Sequence, residues 1–377
     1  MVVADGSVVD PDGLQEYSVV FTDRVLNHMS QRFQKVMREL SATLRQVYHA
    51  DAVALVPGGG SYGMEAVARQ FAHDKKCLVI RNGWFSYRWT QIFESCGIVP
   101  SHEVLKAQRI GSGDQAAFAP PAIEAVEAAI AQGKPDLVFA PHVETASGIV
   151  LPDDYLRRVA AAVHAHGGLF ILDCVASGAL WVDMKACGVD VLLTAPQKAW
   201  SAPPSCAVVL FSAAAEARLG QTKSSSFAND LGKWRQIMQA YENGGHAYHC
   251  TVPTTALVQF NDAVQETVAR GLDYLRQQQI SLGEQVRALL AEHGFASVAA
   301  EGFASPTVVV SYTEDADVRS GARFVQAGLQ AAAGVPLACD EGEAFSTFRI
   351  GLFGLDKLGD VDGTVARLRA ALRQMGV

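Results

Sequence analysis

Cysteine is sparse in this chain of 377 residues, and the seven present (77, 96, 174, 187, 206, 250 and 339) form neither a CxxC pair nor a Cys/His group at zinc-ligand spacing. A disulfide-stapled scaffold and a zinc ribbon are thereby excluded. Several of these thiols sit in apolar runs such as Cys206-Ala-Val-Val-Leu-Phe211, where cysteine behaves as a small hydrophobe. Long hydrophobic runs are also missing: none reaches the ~18 to 20 residues that a membrane-spanning helix needs. Met1-Val-Val-Ala-Asp-Gly6 carries no basic stretch ahead of an apolar one, so no secretory signal is expected. With reduced thiols, this points to a cytoplasmic protein. Positive charge is in deficit: 31 Lys and Arg face 39 Asp and Glu, a net charge of −8, and no Lys/Arg run makes a local exception. Nucleic acid and membranes are therefore not expected partners. Internal repeats and low-complexity tracts are absent as well.

What is there is an ordinary globular composition, 49% hydrophobic and 19% charged, and at roughly 100 to 200 residues per domain it predicts two domains or three. From about residue 51 to 212, short apolar runs alternate with helical patterns: Ala52–Val56, Cys77–Ile80, Leu137–Ala140, Gly168–Leu172, Val189–Leu193 and Cys206–Phe211. Runs apolar on both faces, separated by helices, describe a mainly parallel buried sheet and hence an α/β domain. Helices are expected over Val25–Tyr48, Met64–Phe71, Pro121–Gln132, Asp153–His166 and near Asn229–Gln239, with residues 111–120 as a surface loop. Beyond a boundary near 255, one long helical segment is expected from Thr254 to His293. A strand at Thr307–Ser311, a helix near Arg319–Ala333, a strand at Phe345–Leu352 and a terminal helix complete a smaller α+β domain.

Three motifs carry chemistry. Gly58-Gly-Gly-Ser61-Tyr-Gly63 lies between a strand and a helix, where glycines permit a tight turn and helix amides face an anion. It also satisfies GxGxxG, but the next strand ends in Arg81 where a dinucleotide fold would place an acid. Asp173 follows the apolar run Gly168–Leu172, at the carboxyl edge of the sheet, where a carboxylate needs a partner or a capping role. Lys198 follows Val191-Leu-Leu-Thr-Ala-Pro-Gln197, and burial there would lower its pKa and make it a nucleophile. Each motif alone admits a bland reading: a turn, a cap, a surface lysine. An anion cup, an acid and an amine, each after its own strand of one sheet, are together what pyridoxal phosphate requires.

At these residues the chain resembles the class V aminotransferases, of the fold shared with aspartate aminotransferase, and most of all the alanine–glyoxylate and serine–pyruvate aminotransferases. The stretches that carry the resemblance are Gly58–Ala66; Asn82-Gly-Trp-Phe85-Ser-Tyr-Arg-Trp89; His142-Val-Glu-Thr145-Ala-Ser-Gly-Ile-Val-Leu-Pro152; Asp173 through Gln197-Lys198 to Pro204; Tyr248-His-Cys-Thr251-Val-Pro253; and Phe348-Arg349-Ile-Gly-Leu352. The resemblance implies an N-terminal arm over 1–24, a large cofactor-binding domain with a mainly parallel seven-stranded sheet over 25–255, and a small α+β domain over 256–377. It further implies that Lys198 holds pyridoxal 5′-phosphate as a Schiff base and that Asp173 keeps the pyridinium nitrogen protonated. Phe85 would stack on the ring, Thr145 and Gln197 would bond near the phenolic oxygen, and Gly59, Gly60 and Ser61 would hold the phosphate. Tyr248 and Thr251 would reach the phosphate of the neighbouring subunit in a homodimer with shared sites. Arg349 would fork onto the substrate carboxylate, and His142 is expected as a structural hydrogen-bonding residue. Two departures stand out: Glu16–Asp23 replaces a Pro- and Gly-containing arm, and Phe85 stands where relatives often have Trp.

The expected activity is transfer of an amino group from a small amino acid of alanine or serine type to a 2-oxo acid such as glyoxylate or pyruvate. Rival readings are a 2-aminoethylphosphonate transaminase and a cofactor-sharing lyase or cysteine desulfurase with Cys339 as its nucleophile. A nicotinamide-dependent dehydrogenase and a non-catalytic binding protein are more distant rivals, since neither accounts for Asp173 and Lys198 together. No metal site is expected.

Overall fold

The computed structural model describes residues 9–377, so the first eight residues of the expected arm lie outside the described part. In chain order the strands are β1 (Ala52–Pro57), β2 (Cys77–Arg81), β3 (His102–Lys106), β4 (Gln108–Ile110), β5 (Ala117–Ala119), β6 (Leu137–Pro141), β7 (Val143–Glu144), β8 (Ile149–Val150), β9 (Leu169–Asp173), β10 (Val191–Thr194), β11 (Cys206–Phe211), β12 (Val308–Tyr312), β13 (Ala332–Ala333) and β14 (Thr347–Gly351). Seven of them form the main sheet, in the order β1-β11-β10-β9-β6-β2-β3. The pairings β10/β9, β9/β6, β6/β2 and β2/β3 are parallel, whereas β11 runs antiparallel to both β10 and β1. This is the mainly parallel seven-stranded α/β architecture expected.

The interior strands read as unbroken apolar runs because helices cover both faces of the sheet. Every residue of β2, β6, β9, β10 and β11 is buried. The edge strand β3 is only half-covered, and its sequence His-Glu-Val-Leu-Lys has no apolar run to announce it. One apolar cluster fills the space around this sheet and extends to Phe260 and Val264. A second, around Leu275, Leu282, Phe324, Phe348 and Leu368, packs beneath the three-stranded sheet β12-β14-β13. A third, with Phe118, Ile149, Val310 and Leu337, lies between them.

Four local expectations need correction. The first helix starts at Gln31 and not at Val25, because the Ser30 hydroxyl accepts from the Phe33 amide at 3.1 Å and caps it there. Residues 111–120 are no simple loop: β4 and β5 pair as a hairpin, and Phe118 is buried with its amide donating to the Val298 carbonyl at 2.7 Å. The long helical segment is two helices, Thr254–Arg270 and Leu272–Glu292, broken at Gly271, whose φ of +92° a helix cannot accommodate. The helix near Arg319–Ala333 is two short ones, Ala316–Ser320 and Ala322–Gln326, separated by Gly321 at φ +84° and followed by β13.

Candidate active site

A cavity of about 530 Å³ opens at the carboxyl edge of the parallel strands, between the main sheet and the β12-β14-β13 sheet. Ligand crevices form at this edge because loops and helix N-termini gather there. Of the residues singled out from the sequence, Gly60, Ser61, Phe85, Thr145, Asp173, Gln197, Lys198 and Arg349 all line it. Gly59 is the residue preceding the helix Gly60–Phe71 that rises from the cup. Tyr248 and Thr251 do not reach this cavity; their hydroxyls lie 3.0 Å apart, and Tyr248 is half exposed.

Each side chain is placed by its element. The helix Gly60–Phe71 begins directly after β1, and a Cβ at Gly60 would stand 2.7 Å from Val175 Cγ2, so only glycine lets the cup approach the β9 loop. Asp173 is the last residue of β9 and is buried, with the Val175 amide donating to its Oδ1 at 2.9 Å. Burial pushes its carboxyl up to about 7; the amide and the more distant Arg88 pull the other way without prevailing. No cation lies within ion-pairing distance of it among the described residues. Lys198 follows β10, and its ammonium nitrogen sits 4.9 Å from the centre of the Phe353 ring. Burial, then Arg349 and Arg88, lower its pKa below the usual lysine value. Arg349, on β14, lines the cavity, donates from Nε to the Ala333 carbonyl at 2.8 Å and, among the described residues, pairs with no carboxylate, Glu343 included.

Several residues of the site carry no sequence signal of their own. Glu144 is fully buried; its carboxylate accepts from the amides of Phe85 (3.1 Å), Ser86 (2.9 Å) and Ala146 (3.0 Å) and from the Ser86 hydroxyl (2.6 Å). It thereby anchors the helix Trp84–Cys96 at its N-terminus and aims Phe85 into the cavity. It lies inside a quoted motif, but nothing in its spacing marks that work. Arg88 and Phe353 also line the cavity, Arg88 with its guanidinium 4.7 Å from the Phe85 ring centre. His142 is buried with Nδ1 2.7 Å from the Ser177 hydroxyl, and burial pushes its pKa down to about 4; it scaffolds the strand ends and does not line the cavity. Cys339 is buried beside the Arg81 carbonyl, 3.4 Å from its thiol, and outside the cavity lining. Arg81, the residue that stood where a dinucleotide fold would have its acid, is buried against Thr90 and the Ala338 carbonyl.

These residues suit pyridoxal phosphate. A buried carboxyl without a cation calls for a cationic N–H, the neighbouring amine is held toward its neutral form, and the helix N-terminus with the Ser61 hydroxyl offers donors to a phosphate.

The fold is that of the fold type I aminotransferases. The class V aminotransferase family model matches residues 12–326, and the chain belongs to that family. Among curated relatives, the 2-aminoethylphosphonate–pyruvate transaminase of Burkholderia ambifaria is 28% identical over 347 residues, 87% of each chain. Alanine–glyoxylate aminotransferase 1 of Saccharomyces cerevisiae is 27% identical over 263 residues, 66% of this chain and 65% of that enzyme. The small subunit of a Synechococcus soluble hydrogenase is 25% identical over 93% of this chain and 88% of its own. Among solved structures, alanine–glyoxylate aminotransferase from Nostoc superposes with a TM-score of 0.77 over 92% of this chain and 89% of its own, at 21% identity, which speaks to the fold alone. No helix among the described residues is long and apolar enough to cross a membrane.

Proposed function

We propose that the protein is a pyridoxal-phosphate-dependent transaminase that moves an amino group from a small amino acid of alanine or serine type to a 2-oxo acid such as glyoxylate or pyruvate. One observation carries this reading: Asp173 and Lys198, on neighbouring strand ends, face a single cavity, the acid lacking a cation and the amine biased toward neutrality.

When bound, the cofactor supplies an aldehyde and a ring that accepts electrons from the substrate. Lys198 Nζ would hold the aldehyde as a Schiff base, Asp173 would keep the ring nitrogen protonated, and Phe85 would pack on the ring face. Thr145 and Gln197 would bond near the phenolic oxygen, and Gly59, Gly60 and Ser61 would hold the phosphate. Arg349 binds the substrate carboxylate as a bidentate fork and so fixes which Cα bond is presented. Once the substrate's own amine has replaced it on the aldehyde, the released Lys198 amine would be the base that takes the proton from Cα, and its lowered pKa works in that direction. In a homodimer Tyr248 and Thr251 would serve the neighbouring subunit's phosphate; their distance from this chain's own cavity and the exposure of Tyr248 support that reading. Seven unpaired thiols are in keeping with a reducing, cytoplasmic setting.

A second reading, transamination of 2-aminoethylphosphonate, is favoured by the cations lining the cavity (Arg88, Arg349, Lys357) and by the Burkholderia relative. A desulfurase reading is disfavoured because Cys339 lies outside the cavity. The test is to purify the protein with its colour, add alanine, serine or 2-aminoethylphosphonate, and follow bleaching, then add glyoxylate or pyruvate and follow recovery. Borohydride reduction followed by peptide mass spectrometry should find the cofactor on Lys198. Turnover that survives intact in Lys198→Ala would overturn the proposal.

A further inference from the structure

The phosphate cup has a cation built into it. Arg88 lies three residues after Phe85 on the helix Trp84–Cys96, and its Nη1 donates to the Ser61 hydroxyl at 2.9 Å. Its guanidinium carbon sits 4.7 Å from the Phe85 ring centre, so the guanidinium is held at two points, by a cation–π contact and by the hydrogen bond to Ser61. No carboxylate pairs with it among the described residues: Asp173 is occupied by the Val175 amide, and Glu144 by the donors at the start of Arg88's own helix. An arginine lining a cavity, oriented at two points and given no anion by the protein, is a recognition group awaiting one.

Two anions have to be accommodated in this cavity, and two unpaired arginines line it. Arg349 belongs to β14, and its carbonyl partner Ala333 belongs to the adjacent β13. Arg88 belongs to the main-sheet side and touches the first turn of the helix Gly60–Phe71. Backbone amides, the Ser61 hydroxyl and the hydroxyls that Tyr248 and Thr251 of a neighbouring subunit would bring are all neutral donors, and a phosphate held by them alone would keep its charge uncompensated. We propose that Arg88 is the charge partner of the cofactor phosphate, binding it alongside Ser61, while Arg349 serves the substrate. The assignment rests on the pyridoxal-phosphate reading above and adds a phosphate-binding residue to it.

The test compares two probes that differ by the phosphate. Apoenzyme is titrated by fluorescence quenching with pyridoxal phosphate and with pyridoxal, in wild type, Arg88→Ala and Arg88→Lys. Arg88→Ala should weaken pyridoxal phosphate ~10- to 100-fold, the scale of a lost charge-assisted hydrogen bond, and change pyridoxal by less than about threefold. Arg88→Lys, which keeps the charge and loses the fork, should fall between wild type and Arg88→Ala. An equal loss for both probes would show that Arg88 only props Phe85 and Ser61, and unchanged affinity for pyridoxal phosphate would assign it to the substrate; either result overturns the inference. If wild type binds neither probe, the cofactor reading itself fails and the inference falls with it.

Discussion

Replacing Asp173 by Asn should make the cofactor-free protein more stable, and more so as the pH rises. In the folded chain burial holds this carboxyl at about 7 against an ordinary value of 3.8. Between those two values the folded state keeps a proton that the unfolded chain has released, so stability falls as the pH rises through the window, and the cost from this group reaches its full size above about 7. At ~1.36 kcal/mol per pKa unit, the ionised carboxylate costs the apoprotein about 4 kcal/mol at pH 8 and less than half of that at pH 5. Asn keeps an oxygen for the Val175 amide and carries no charge, so it escapes this cost. Urea denaturation of both apoproteins at the two pH values reads the difference directly, with the variant's midpoint ahead at pH 8 and the gap narrowing at pH 5. Adding pyridoxal phosphate should then stabilise wild type more than the variant, because a cationic ring nitrogen supplies the partner the carboxylate lacks. A gap that stays constant with pH, or a wild-type apoprotein that is the more stable at pH 8, would refute the reasoning.

Three further outcomes are expected. His142, neutral in the fold with a pKa near 4 against an ordinary 6.5, should withdraw about 3 kcal/mol of stability as the pH falls through that window; His142→Gln should flatten this acid limb in urea titrations at pH 7, 5.5 and 4. Gly60→Ala, whose Cβ would meet Val175 Cγ2 at 2.7 Å, should cost about 1–3 kcal/mol by thermal melt or weaken cofactor binding, with Val175→Ala in the same chain restoring most of the loss. Arg349→Lys should raise the KM for the amino donor ~10-fold or more while leaving pyridoxal phosphate affinity unchanged, since Arg349 makes its recorded hydrogen bond to the Ala333 carbonyl and none to the phosphate cup.

The parts of this molecule that could be read from the chain are those where one physical constraint acts along consecutive residues. A strand buried on both faces must be apolar throughout, so Leu169–Asp173 and Cys206–Phe211 were legible, whereas the half-covered His102–Lys106 was not. Gly271 shows the opposite limit: amphipathic spacing continues on both sides of it, and only its left-handed backbone reveals two helices. The site divides along the same line. Asp173 and Lys198 announced themselves because an acid or an amine at the end of a buried strand is costly and needs a reason. Glu144 pays its desolvation through one local donor, the Ala146 amide, and through donors of Phe85 and Ser86, 59 and 58 residues away along the chain, which are near it only after folding. Arg88 likewise needs the spatial neighbour Ser61, 27 residues away along the chain, before its lack of a carboxylate acquires a meaning. Local chemistry thus exposes the groups proposed to do the reaction, and the tertiary structure is needed to expose those proposed to hold them in place and balance their charge.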